Sequence, residues 1–295
     1  MKKINLLDYK KRVYSVPGND GIIEYIFKKL RINNGIFVEF GAWDGIKNSN
    51  CRKLLEEGWN GIFIESNISK YNNLVNNYKK YKHIYCCNNF VGFEGSAKFD
   101  NIVDPYLNGK QIDFCSIDID GLDLEVFETF EKYLPTVVCI EGGQVLHPYH
   151  KRVDRKVACN KIGQSLKVTI DSFEKKGYKI LCSYQDCFFV KKEFYNLFNV
   201  ENNIIKLYFN GLRERPQMIA YYDRYMKEYN SKKTVKYKIK NNIIAYVLKK
   251  SLYAEKWRPW LKKKYNKILS AINKKEKIEL AKKYKIKNNI RKKDN

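Results

Sequence analysis

Four acids stand where short apolar runs end: Glu39, Glu65, and the pair Asp118 and Asp120. A carboxylate at the carboxyl end of a buried strand faces the ligand crevice of a doubly wound sheet. There it can hold a positive group or accept hydrogen bonds from sugar hydroxyls. Glu39 opens the segment Glu39-Phe40-Gly41-Ala42-Trp43-Asp44-Gly45, whose glycines let backbone approach a ligand closely. Glu65 follows that loop by about 20 residues, the spacing at which an acid accepts both hydroxyls of a ribose. Glu141, His147 and His150 come just after a further apolar run, where groups that bind an acceptor or take its proton would be placed.

These residues need a scaffold, and the pattern of the chain supplies one. Apolar runs and helical periodicity alternate between residues 20 and 192. Strands are expected at 36–40, 61–65, 84–91, 112–119 and 136–141, with helices at 21–32, 50–57, 69–80, 122–133 and 165–176. Gly58 and Gly177 fall where helices should be capped. Residues 178–183 and 187–191 read as a closing hairpin. Residues 143–160 carry little periodicity and read as a loop or lid over the site. The run Val137-Val138-Cys139-Ile140 is continuously apolar, as in a sheet covered on both faces. The expected fold is therefore α/β: a doubly wound, mostly parallel, seven-stranded Rossmann-like sheet closed by an antiparallel hairpin.

Two cofactor classes fit a glycine loop followed by an acid. A nicotinamide dinucleotide needs room for a pyrophosphate at a helix N-terminus, usually with G-x-G-x-x-G. This loop lacks that motif and holds Trp43 and Asp44 instead. S-adenosylmethionine has no phosphate, and its sulfonium and ammonium suit carboxylates, so the residues favour a methyltransferase over a dehydrogenase. Trp43 could wall the cofactor pocket or pack in the core. Asp120 and His147 are the candidate bases for removing an acceptor hydroxyl proton, whereas His83, at the start of a strand, reads as structural. Asp118, Asp120 and Glu141 could gather a divalent cation, although hydrogen bonds to cofactor and backbone account for them without a metal.

The segments V-E-F-G-A-W-D-G at 38–45, G-W-N-G-I-F-I-E at 58–65, D-F-C-S-I-D-I-D-G at 113–121 and V-V-C-I-E at 137–141 resemble FkbM-type methyltransferases. Gln164-Ser165-Leu166, Gly177-Tyr178 and Phe188-Phe189-Val190 follow in the order of that family, and the resemblance spans residues 35–195. It implies a class I, S-adenosylmethionine-dependent enzyme that methylates hydroxyls of sugars or natural products. Carried over, Glu39 and Gly41 would contact the methionine end and Glu65 would hold the ribose; Asp44 is a candidate cofactor-binding residue by its place in the same acidic loop. Asn89 or its neighbour Asn88 would lie near the adenine, and Asp118 beside the methionine moiety. Asp120 would face the substrate side; Glu141 and His150 are candidate substrate-binding residues by their place at and after the fifth strand, not by the resemblance. After the fifth strand the family continues Ile-Glu-Tyr-Asn-Pro, whereas this chain has Ile140-Glu141-Gly142-Gly143-Gln144, a departure that bears on the acceptor.

Charge divides the 295 residues unevenly. Residues 231–295 hold 23 Lys and Arg against 4 Asp and Glu, while the rest hold 34 against 28. The expected organisation is a methyltransferase domain over 1–200, a helical linker over 201–230 and a Lys-rich amphipathic helical tail over 231–295. Trp257 and Trp260 beside the tail's lysines suit an anionic membrane surface. RNA is the other anionic partner, giving an RNA methyltransferase as the alternative; a cofactor-binding module without catalysis is a third reading. None of the eight cysteines forms a C-x-x-C pair, which excludes a zinc site of that spacing and leaves reduced, mostly buried thiols. With no apolar run of 18 residues and no signal-like start, a cytoplasmic protein, peripheral on the membrane face, is expected.

Overall fold

The computed structural model describes residues 3–143, 146, 148–159 and 163–214. The expected tail over 231–295, His147, and the linker beyond residue 214 lie outside the described residues. Seven strands form one sheet in the order β3-β2-β1-β4-β5-β7-β6. They are β1 (Ile36–Phe40), β2 (Asn60–Ile64), β3 (Ile84–Cys87), β4 (Phe114–Ile117), β5 (Val137–Glu141), β6 (Tyr178–Ser183) and β7 (Asp186–Lys191). β1 to β5 pair in parallel, whereas β7 runs antiparallel to both β5 and β6. This is the expected doubly wound sheet with its closing hairpin.

Helices cover both faces: α1 (Asn19–Leu30), α2 (Arg52–Glu56), α3 (Ile68–Tyr78), α4 (Phe99–Leu107), α5 (Asp123–Phe127), α6 (Arg155–Ala158), α7 (Leu166–Lys175) and α8 (Ile204–Glu214). Phe37, Phe63, Phe114 and Trp59 are buried in the core on the α1 side. On the other face Phe127, Phe173 and Phe189 stack in sequence at 3.7 Å centroid separations. The order of strands reverses between β1 and β4, so the two chain directions part there and leave a crevice above their carboxyl ends. All eight cysteines are free, six of them buried. Among the described residues no helix is long and apolar enough to cross a membrane.

Three departures from the sequence expectation stand out. The helix expected over 122–133 stops at Phe127, because the buried Asp100 carboxylate accepts hydrogen bonds from the backbone N–H groups of Glu131, Lys132 and Tyr133. The strand expected over 84–91 ends at Cys87, where Asn88 turns its amide onto the Glu65 carbonyl at 2.8 Å. α4, unanticipated, carries Phe99, Ile102, Val103 and Leu107 on its buried face despite Pro105 inside it.

Gly61, in β2, lies beneath the Phe37 ring, and an added Cβ would sit 2.0 Å from it. Gly61→Ala should therefore cost about 1–3 kcal/mol of folding free energy through overpacking, measured by urea denaturation. An unchanged midpoint would show that the ring yields freely.

Candidate functional site

A cavity of about 460 Å³ opens at the switch point. Glu39, Gly41 and Trp43 line it from the β1 end, Glu65 from β2, Asn89 from the segment after β3, and Asp118 and Asp120 from β4. Six residues expected at the ligand are thus brought to one space: Glu39, Gly41, Glu65, Asn89, Asp118 and Asp120.

Gly41 is required by sterics. Its φ is +75°, and a Cβ there would fall 1.8 Å from the Asp118 carbonyl oxygen. The loop can turn out of β1 only because that atom is missing. Glu65 then fixes the loop beyond it: one oxygen accepts from the Trp43 N–H at 2.8 Å, the other from Asn67 N–H at 2.7 Å. A carboxylate has about four lone-pair positions, so Glu65 retains acceptor capacity toward the cavity.

Glu39 is buried, and both its oxygens are engaged. Oε2 accepts from Ser49 Oγ at 2.5 Å and Oε1 from Asn50 N–H at 2.8 Å. Burial pushes its carboxyl up to about 7, opposed by those hydrogen bonds. Ser49 in turn accepts from the N–H groups of Cys51 and Arg52, which starts α2 two residues later than the sequence pattern suggests. Asn50 donates to Ser116 Oγ and accepts from Asn19.

Asp120 sits in a left-handed conformation, φ +62°, uncommon for a non-glycine residue. Asp123 holds it there, its two oxygens accepting from Ile119 N–H and Gly121 N–H at 2.8 Å each. Burial lifts the Asp123 carboxyl to about 7. Asp118 is exposed where it opens onto the cleft, with protein crowded around the rest of it. Loss of water around it, then the negative charges of Glu141, Asp186, Asp123 and Asp120, raise its carboxyl well above the usual carboxylate range. Carboxylate oxygens of Asp118, Asp120 and Glu141 lie within 4.8 Å of one another, a spacing that can hold a divalent cation or another positive group.

The remaining expected residues fall elsewhere. Asp44 is not among the residues lining the cavity: its Oδ1 accepts from Ile46 N–H and Lys47 N–H at 2.9 and 2.8 Å, so it shapes the loop. Glu141 touches the cleft only through the acidic group. His150 does not line the cavity either, and its Nδ1 lies 2.6 Å from the Lys151 carbonyl oxygen. The segment carrying it is stapled by Gln164, which bonds both the N–H and the carbonyl of Val153 and donates to Glu125 at 2.5 Å. The sequence reading does not single out Ser49, Asn50 or Asp123: the first two are marked by tertiary hydrogen bonds, and Asp123 by a local turn that closes on Ile119 and Gly121 N–H. Phe90, 68% exposed at the cavity rim, and Phe93, under the Arg155 guanidinium, add aromatic walls.

No protein-family model and no curated protein matches the chain. Solved structures do. The methyltransferase domain of bacterial CtHen1-C is 14% identical, with a TM-score of 0.39, over 59% of this chain and 98% of that one. A putative RNA methyltransferase from Pyrococcus horikoshii is 13% identical, TM-score 0.38, over 62% and 89%. A putative caffeoyl-CoA O-methyltransferase from Staphylococcus aureus is 16% identical, TM-score 0.39, over 63% and 87%. The fold assignment stands on the strand order of this chain and not on these likenesses, and the chemistry must come from its residues.

Proposed function

We propose that the cleft binds S-adenosylmethionine and that the chain is an FkbM-type O-methyltransferase acting on a hydroxyl of a glycan, sugar nucleotide or related metabolite. The observation that carries this reading is the convergence of Glu39, Glu65, Asp118 and Asp120 on one cavity at the switch point. Its acidic floor suits a ligand bearing a sulfonium and an ammonium, and its volume lies in the range of small-molecule sites. The motif resemblance supplies the acceptor class.

Bound there, S-adenosylmethionine supplies an electrophilic methyl group. Glu65 accepts the ribose hydroxyls, and Glu39, Gly41 and Asp118 surround the methionine end. Asn89, with Phe90 beside it, borders the adenine. Asp120 or His147 would take the acceptor's hydroxyl proton, and Glu141, beside Asp120 in the acidic group, would orient the acceptor. No step needs a metal. The tail over 231–295 places the enzyme on an anionic membrane surface at the cytoplasmic face.

Calorimetric titration with S-adenosylmethionine and S-adenosylhomocysteine tests the reading directly. Wild type should bind in the micromolar range, and Glu65→Gln should weaken binding about tenfold, or about 1.4 kcal/mol. Absence of binding by either ligand ends the proposal. A second expectation follows from Asp118. Its raised folded value keeps it partly protonated near neutrality, and a cationic ligand favours the ionised form. Binding should therefore release protons and tighten as pH rises until Asp118 is fully ionised, and Asp118→Asn should lessen that pH dependence, with Glu39 supplying the remainder. Titration in buffers of different ionisation enthalpy reads the proton count, and a wild-type count of zero contradicts it. Third, at least one of Asp120→Asn and His147→Ala should lower kcat about 10²-fold with cofactor affinity preserved. Near-normal turnover in both variants would remove both as bases.

A further inference from the structure

Away from the cleft, a wide groove runs along the flank of α1, and none of its residues lines the cavity. Ile4, Tyr9, Tyr25, Leu30 and Leu197 form its apolar bed. Lys11, Lys28, Lys29 and Arg31 supply its charge against one acid, Glu24. That acid already faces Lys11 at 3.8 Å and Lys53 at 3.2 Å. Lys28, Lys29 and Arg31 form no ion pair among the described residues and are all exposed. Leu197 is 50% exposed and Tyr9 41%. The first 230 residues are close to charge balance, 34 basic against 28 acidic, so this clustering is a local feature of the surface.

We propose that this face docks on an anionic lipid bilayer. Charge complementarity requires a negative partner, and it disfavours the basic segment 231–295 as the occupant. The apolar bed separates lipid from nucleic acid. Successive bases need a row of free aromatic faces, but Tyr9 and Tyr25 are stacked on each other at 3.8 Å and Lys29 lies 5.7 Å from the Tyr25 ring centroid, which leaves a single open face, that of Tyr9. Leu197, Leu30 and Ile4 offer nothing to a base, whereas aliphatic side chains ringed by lysines suit the boundary between headgroups and acyl chains. This surface is independent of the tail and of the cofactor reading.

The full chain is tested by co-sedimentation with vesicles of phosphatidylcholine alone and with added phosphatidylserine. The triple variant Lys28→Glu, Lys29→Glu, Arg31→Glu should weaken binding to the anionic vesicles about tenfold or more. Lys79→Glu, Lys80→Glu, Lys82→Glu removes the same charge from exposed positions beside α3 and should have little effect. Leu197→Glu should weaken vesicle binding as well. Equal losses from both triple variants, or no loss from the first, overturn the proposal, since binding would then follow net charge or another segment. Loss of RNA binding in the first triple variant, with vesicle binding untouched by Leu197→Glu, would also overturn it in favour of nucleic acid.

Discussion

The site depends on how closely β1 and β4 approach where the chain reverses direction. Gly41 passes so near the Asp118 carbonyl that a methyl group there would overlap it. That contact fixes the exit of β1 in a left-handed turn and brings the loop of Trp43 across to β2, where the Ala42 N–H bonds the Ile64 carbonyl at 3.2 Å. Glu65 can reach the Trp43 N–H only from that position. The cavity is thus the space left when two strand ends are held together and their loops are forced apart.

Its electrostatics run against the fold. Glu39, Asp118 and Asp123 are all lifted by loss of water, so their ionised forms cost stability. Two of the three recover part of that cost through backbone donors: Asn50 N–H to Glu39, and the Ile119 and Gly121 N–H groups to Asp123. Asp118 has like charges around it instead, which suits a position whose counter-charge arrives with a ligand.

How much of this was legible in the sequence follows from where each signal resides. β1 matches its apolar run residue for residue, because four buried side chains behind a half-buried Ile36 leave no other reading. The acids at strand ends were legible for the same reason, since placing the strand places the acid. Asp44 failed because Asp44-Gly45 is also a turn signal, and its carboxylate closes the turn. α4 was hidden by Pro105, although Phe99, Ile102, Val103 and Leu107 recur at helical spacing. The truncation of α5 could not be read locally. Asp100 lies about 30 residues away from the N–H groups it captures, and only the packed fold brings them together.

The closing hairpin reaches the cleft electrostatically. Asp186, at the start of β7, raises the Asp118 carboxyl by its charge, and it is itself held by Asn19 Nδ2 at 2.5 Å. Asn19 also donates to Asn50 at 2.8 Å and accepts from the Tyr184 hydroxyl. One buried amide at the start of α1 therefore joins the loop that engages Glu39 to the hairpin that biases Asp118. A network of this kind stabilises only when its members are all partnered, because an orphaned polar group in the interior costs its full desolvation. The two sides of the cleft are consequently not independent: displacing the hairpin would take Asp186 and Tyr184 from Asn19, and with them the anchor of the amide that Asn50 accepts from.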